Sequence, residues 1–145
     1  MSAVKQISFI VASDLLCLGE VLAKYEQVKP ESVNQRLWLE CQLALAEGFT
    51  NAVRHAHKNM PPDTTVEIEI IINSCWLEIK IWDHGNPFNL ISFQESLSQP
   101  DDLKTGGRGI EILGKVADEL KYERYPDDRN CLLIKKHIDD VREVI

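Results

Sequence analysis

VEIEIIINSCWLEIKIWD, residues 66–83, decides the architecture of this chain. Its first half alternates Val66, Ile68 and Ile70 with Glu67 and Glu69. The second half alternates Leu77, Ile79 and Ile81 with Glu78 and Lys80. A period of two places apolar side chains on one face of a strand and charged ones on the other, so each half reads as a half-buried strand. Asn73-Ser74 lies between them and supplies turn residues, which makes the pair an antiparallel hairpin.

Working outward, Ile7-Ser8-Phe9-Ile10-Val11-Ala12 reads as an N-terminal strand; it is short, and one lysine precedes it, which argues against a signal peptide. Ser13 or Asp14 can cap a helix carrying Leu15, Leu18, Leu22 and Tyr25. Pro30 ends that element, and Glu31, Ser32 or Asn34 opens a long helix that reaches to about residue 56. This second helix is apolar almost all round (Leu37, Trp38, Leu39, Cys41, Leu43, Leu45, Phe49, Val53), the pattern of a buried helix. Beyond the hairpin, residues 84–105 carry Pro87 and Pro100 and read as a long connection, a functional lid or a mobile loop. Gly106-Gly107-Arg108-Gly109 then leads into a helix from Ile110 to about Ala117, and two strands, around 120–125 and 131–137, flank Pro126-Asp127-Asp128. The whole is an α+β arrangement in one domain, residues 1–145.

Composition narrows the functions available. At 145 residues, with 44% hydrophobic and 27% charged residues, the chain has the usage of one globular domain. No apolar run approaches the ~20 residues of a membrane span. Cys17, Cys41, Cys75 and Cys131 form no CxxC pair, which fits a reducing cytoplasm without disulfides. Sixteen basic against 23 acidic residues leave a net charge of −7 and no basic patch, so nucleic acid is not an expected partner. An acidic chain that takes a polyphosphate must offset repulsion locally, through backbone N–H groups, a helix dipole or a metal.

Three constellations carry chemistry. Glu47, Asn51 and His55 are four apart on the long helix, and at ~100° per residue they share one stripe along the edge of its apolar face. A carboxylate there can act as general base, and a carboxamide oxygen suits a hard cation such as magnesium. A solvated flank of an ordinary helix would show the same spacing. Asp83 continues the parity of Leu77, Ile79 and Ile81, so it points to the buried side, where a carboxylate needs hydrogen bonds. It could accept from adenine's exocyclic amino group, with Gly85 allowing positive φ or close approach; a turn in which Asp83 caps its own backbone is the plainer alternative. Gly106, Gly107 and Gly109 let backbone N–H groups approach phosphates at a helix start, and Arg108 adds a charge for a terminal phosphate. A flexible loop before a helix would also contain such glycines. His55 and His57 are two apart and cannot form a helical zinc pair, and no serine sits in GxSxG. Trp38, Trp76 and Trp82 read as core or interface residues.

Taken together and in order, these segments resemble a known family. EGFTNAVRH (residues 47–55) resembles the N box of the GHKL ATPases, DHGNPF (83–88) the first glycine box, and GGRGIEIL (106–113) the second. The closest resemblance is to the anti-sigma-factor serine-protein kinase branch. It implies a Bergerat-type two-layer sandwich, with a mixed, mostly antiparallel sheet, helices on one face and ATP between them. Glu47 would then be the general base for a serine hydroxyl, Asn51 the Mg2+ ligand and Asp83 the reader of adenine, with Gly85 beside it. His55 lies near the phosphates, Thr105, Gly106, Gly107 and Gly109 hold them, and Arg108 approaches the γ-phosphate. The implied partners are a small antagonist protein with a phosphorylatable Ser or Thr, a sigma factor, and a second copy in a cytoplasmic homodimer. Asn86 and Pro87 replace the second glycine of the first box, a Pro-Phe subtype, and no glycine lies between Gly85 and Gly106. Two other functions share these motifs: a nucleotide-binding module that sequesters its partner without kinase activity, and a stand-alone histidine-kinase-like catalytic domain.

Overall fold

The computed structural model describes residues 4–98 and 108–138. The hairpin forms as expected, from β2 (Thr65–Ile72) and β3 (Trp76–Asp83), and the Asn73 carboxamide accepts from the N–H groups of Cys75 and Trp76, both at 2.8 Å. With β1 (Lys5–Ala12), β4 (Glu119–Arg124) and β5 (Asn130–His137), the two strands build a sheet of order β1-β2-β3-β5-β4. Every pairing between these strands is antiparallel, so the mixed sheet that the resemblance implies is here antiparallel throughout the described strands.

Register explains the two faces. Ile68 lies opposite Phe9 and Ile81, Ile70 opposite Ile7 and Ile79, and Ile79 opposite Ile134, so one face is a continuous apolar floor. The other face carries Glu67, Glu69, Glu78 and Lys80. Trp82 belongs to that outer face and is still buried. Its indole N–H donates to Glu69 at 2.8 Å, the Arg129 guanidinium lies 4.2 Å above the ring, and Tyr125 meets it edge-on at 4.9 Å. Neighbouring polar groups thus cover an aromatic that alternation alone would leave in water.

Helices cover the apolar floor. Asp14 caps a short 3-10 turn (Leu15–Cys17) by accepting from the Leu16 N–H, and α1 (Leu18–Gln27) follows. In α1 the fully buried residues are Val21 and Tyr25, whereas Leu15 is exposed. Asn34 caps α2 (Gln35–Asn51) by accepting from Leu37 N–H at 3.1 Å. Trp38, Cys41, Ala44, Leu45, Gly48 and Phe49 form its buried face, at the spacing of one helical stripe. Leu39 and Leu43 are 51% and 46% exposed, so α2 is buried on one face and not all round. Tyr25 stacks on Trp38 with centroids 4.0 Å apart and donates its hydroxyl to the Trp38 carbonyl at 2.8 Å, which ties α1 to α2.

Two segments differ from the expected elements. Residues 87–98 form a helix, α3 (Pro87–Ser98), where the prolines pointed to a loop. Pro87 opens the helix, a position that tolerates a missing N–H, and Asn86 caps it by accepting from the Phe88 N–H at 2.8 Å. At the other site, α2 does not run as an α-helix to residue 56. It widens after Asn51 into a π-turn (Ala52–Ala56), in which the His57 N–H reaches back five residues to the Ala52 carbonyl at 2.9 Å. The last helix, α4 (Arg108–Val116), packs beside α2.

Candidate nucleotide site

The site is built where the C-terminal end of α2 meets the end of β3. Glu47 and Asn51 both lie on α2 and are half-buried. The Asn51 Nδ2 is a buried polar atom without a hydrogen-bond partner among the described residues. Leaving such a group unpaired costs about 1–3 kcal/mol, a cost that a water or a ligand at this position removes. Rotation of the amide exchanges nitrogen for oxygen, which lets this position donate to a phosphate or present an acceptor to a hard cation. The residue therefore fits magnesium.

His55 is exposed, and the π-turn disturbs the stripe that the helical period assigns it with Glu47 and Asn51. An i→i+5 turn holds an extra residue, so the 3.6 period no longer predicts direction beyond Asn51. The widened turn frees carbonyls at its end. Asn89 on α3 takes two of them, donating its Nδ2 to His55 O and Ala56 O at 3.1 Å each.

Asp83 points inward as its parity predicts and is 3% exposed. Its Oδ1 accepts from the Gly85 N–H and from Asn130 Nδ2, both at 2.8 Å, and its Oδ2 accepts from the Tyr122 hydroxyl. Asn130, fully buried, lies directly opposite Asp83 in the β3–β5 register and also donates to Gly85 O at 3.1 Å. Arg124 donates to the same Gly85 carbonyl at 3.2 Å and to Asn130 Oδ1 at 3.4 Å. The turn reading of Asp83 and the inward reading are both realised: one oxygen caps Gly85, and the whole carboxylate is held in a buried network. Burial and, secondarily, the neighbouring Asp83 push the Tyr122 phenol up, so it stays a protonated donor.

Gly85 is required by close approach and not by a positive φ. A Cβ on it would lie 2.6 Å from the Ala56 carbonyl oxygen and 3.0 Å from the Ala56 Cβ. The first glycine box and the end of the N-box helix therefore touch backbone to backbone.

His57, buried just beyond the π-turn, joins the same region to β1. Its Nε2 accepts from the His84 N–H at 2.8 Å, which leaves Nδ1 to donate to Ser13 Oγ, also at 2.8 Å. Only the neutral ring can do both. Burial lowers its pKa, Asp83 opposes that, and His84 adds to the lowering. Because the folded pKa lies below the unfolded value of about 6.5, the unfolded chain takes up a proton first as pH falls. Stability is thus undiminished above about pH 6.5 and declines below it, by up to about 1.4 kcal/mol per pH unit until the folded pKa is reached. Urea midpoints at pH 7.5 and 5.5 should show this decline in the wild type and a smaller one in His57→Asn. Equal declines in both would remove His57 as its cause.

Of the remaining expected residues, Arg108 and Gly109 open the backbone of α4, next to the N-box helix. Thr105, Gly106 and Gly107 lie outside the described residues. Sequence reasoning did not single out Tyr122, Asn130 or Asn89 and found no role for His57. Asn130 carried a readable signal, since it shares the inward parity of Leu132 and Ile134. The other three depend on contacts far along the chain.

Residues 12–136 match the family model of the histidine kinase-like ATPase domain. The chain is 25% identical over 107 residues to Serine-protein kinase RsbW of Listeria monocytogenes serovar 1/2a, covering 70% of this chain and 66% of that protein. It is 30% identical over 91 residues to Serine-protein kinase RsbW of Bacillus pumilus, covering 58% and 56%. It is also 30% identical over 104 residues to an Anti-sigma F factor of Halalkalibacterium halodurans, covering 68% of each. The first of these matches spans just under two thirds of the relative's length. With N box, glycine box and sheet in the expected order, the chain belongs to the histidine kinase-like ATPase family, on the branch that holds the anti-sigma serine kinases.

Proposed function

We propose that the chain is an ATP-dependent serine/threonine-protein kinase acting as an anti-sigma factor, which phosphorylates a small antagonist protein and sequesters a sigma factor. The observation that carries this is the buried Asn51 amide nitrogen, without a partner among the described residues, on the N-box helix, four residues from Glu47 and close in sequence to the Gly85–Ala56 contact. The names of the relatives supply the protein substrate class and the sigma factor.

In this reading the Glu47 carboxylate takes the proton of the substrate hydroxyl as its oxygen attacks the γ-phosphorus. The bond from that phosphorus to the β–γ bridging oxygen breaks, and ADP leaves with the electron pair. Asn51 would hold Mg2+, which would supply neutralisation of charge on the phosphate oxygens. Asp83 accepts from the adenine amino group, with Gly85 beside it. Thr105, Gly106, Gly107 and Gly109 cradle the phosphates, His55 stands at their edge, and Arg108 approaches the γ-phosphate. The protein acts as a cytoplasmic homodimer of single-domain subunits; among the described residues no helix is long and apolar enough to cross a membrane.

Calorimetry with magnesium ATP tests the pocket. Wild type should bind, and Asp83→Asn should bind more weakly or not at all. A folded wild type that does not bind would sink the kinase reading. Glu47→Gln tests the chemistry: transfer from γ-labelled ATP to an anti-sigma-factor antagonist should fall roughly 10²–10⁴-fold while nucleotide binding persists. Unchanged partner binding in a wild type that shows no transfer would instead identify a sequestering module without kinase activity.

A further inference from the structure

Two leucines stand in water on the helix that carries Glu47. Leu39 and Leu43 on α2 are half-exposed, and among the described residues neither belongs to the hydrophobic core. They lie four apart, and Glu47 and Asn51 continue the same series within Gln35–Asn51, which is α-helical throughout. Each step of four rises about 6 Å and turns about 40° in one direction. Glu47 therefore stands between Asn51 on one side and the two leucines on the other. Asn51, with its buried amide nitrogen, marks the nucleotide side. In-line transfer places the acceptor hydroxyl on the far side of the γ-phosphorus from the leaving ADP. A protein that delivers a hydroxyl to Glu47 thus comes to the side that holds the leucines.

Resting on the assignment of Glu47 as general base, we propose that Leu39 and Leu43 form a docking ridge for the phosphoacceptor protein. The partner surface it fits is an apolar one beside the acceptor serine or threonine. Size favours this occupant. A specific interface covers about 800 Å² on each partner, a disc about 16 Å in radius. Centred on Glu47, that footprint takes in Leu43 at about 6 Å and Leu39 at about 12 Å along the helix axis. Both side chains then leave water, which strengthens binding to an apolar surface, whereas a charged one would lose hydration without a partner. The exposed ion pair of Arg36 and Glu40, at 3.7 Å, borders the ridge and gives it a charged rim around an apolar centre.

Leu39→Gln/Leu43→Gln and Leu39→Met/Leu43→Met together test the ridge. Glutamine and methionine are alike in length and helix propensity and differ in polarity. The probe is a purified anti-sigma-factor antagonist, phosphorylated with γ-labelled ATP and magnesium. The glutamine pair should raise the KM for the antagonist about tenfold or more with kcat unchanged, the mark of lost docking and intact chemistry. Its affinity for magnesium ATP should match wild type, and the methionine pair should keep a KM close to wild type. If the double variant does not fold, Leu43→Gln alone should raise the KM about threefold or more.

An unchanged KM for the antagonist in the glutamine variants, with wild type active, overturns the ridge and leaves the kinase reading standing. Weakened binding of magnesium ATP overturns it as well, by placing the leucines in the nucleotide site. A changed oligomeric state of the glutamine pair on size-exclusion chromatography assigns the ridge to a second copy of the chain, against the proposal. Absence of transfer by the folded wild type overturns the kinase reading and the ridge together.

Discussion

Replacing Asp83 with alanine is expected to remove about 3–5 kcal/mol of folding stability, a large share of the 5–15 kcal/mol typical of a domain. The carboxylate accepts from Gly85, Asn130 and Tyr122, all inside a region closed to water. Alanine leaves the Gly85 N–H and the Tyr122 hydroxyl without an acceptor, removes one of the two bonds that Asn130 Nδ2 donates, and opens a small cavity. Each stranded donor costs about 1–3 kcal/mol. Asparagine at the same position should be far milder, about 1–2 kcal/mol, because its one oxygen can still serve Gly85 and Asn130 while its amide faces the hydroxyl, which can accept. Urea unfolding of the three proteins checks both numbers. An alanine variant within 1 kcal/mol of wild type would show that the network is dispensable to the fold. The pair also separates structure from recognition: asparagine keeps the fold but offers the base a donor in place of an acceptor.

Gly85→Ala is expected to cost about 1–3 kcal/mol and to abolish nucleotide binding. The new Cβ would stand 2.6 Å from the Ala56 carbonyl oxygen, so backbone must separate from backbone. Neither side can give freely. Gly85 is held through its N–H by Asp83 and through its carbonyl by Asn130 and Arg124, and the Ala56 carbonyl is held by Asn89. Gly48 forms an informative contrast. A Cβ there would lie even closer, 2.5 Å, but to the Cδ1 tip of Ile81, which a rotamer change can clear. Thermal unfolding with and without magnesium ATP measures both parts of the Gly85 effect. A variant that melts with wild type and still binds would mean that the two boxes do not need this contact.

Both effects arise from the same design. The end of the N-box helix, the end of β3 and α3 are locked at one point by Gly85, Ala56 and Asn89. His57 adds a link to Ser13 at the end of β1, which places a titratable group in the joint. Acid should therefore loosen this corner before the apolar floor of the sheet, since that floor contains no ionisable residue among Ile68, Ile70, Ile79 and Ile81.

Much of this was legible in the chain itself. The period of two in residues 66–83 sets the hairpin and the inward direction of Asp83, because alternation is a property of a strand whatever it pairs with. The stripe of α2 from Trp38 to Phe49 follows from the helical period in the same way. Local chemistry also marks the N box and the glycine runs by composition and order. What periodicity cannot supply is a partner. Asn130 meets Asp83 across 47 residues and Tyr122 meets it across 39, and only the strand order brings either of them there. The π-turn after Asn51 and the helix at Pro87 depend on Asn89 and Asn86 satisfying freed backbone groups, which a one-dimensional pattern does not show. The sequence by itself thus determined which faces are buried and which residues are fit for nucleotide chemistry. The tertiary structure alone decided which donors share the Asp83 carboxylate and why residue 85 has no room for a side chain, since those outcomes rest on contacts between distant segments.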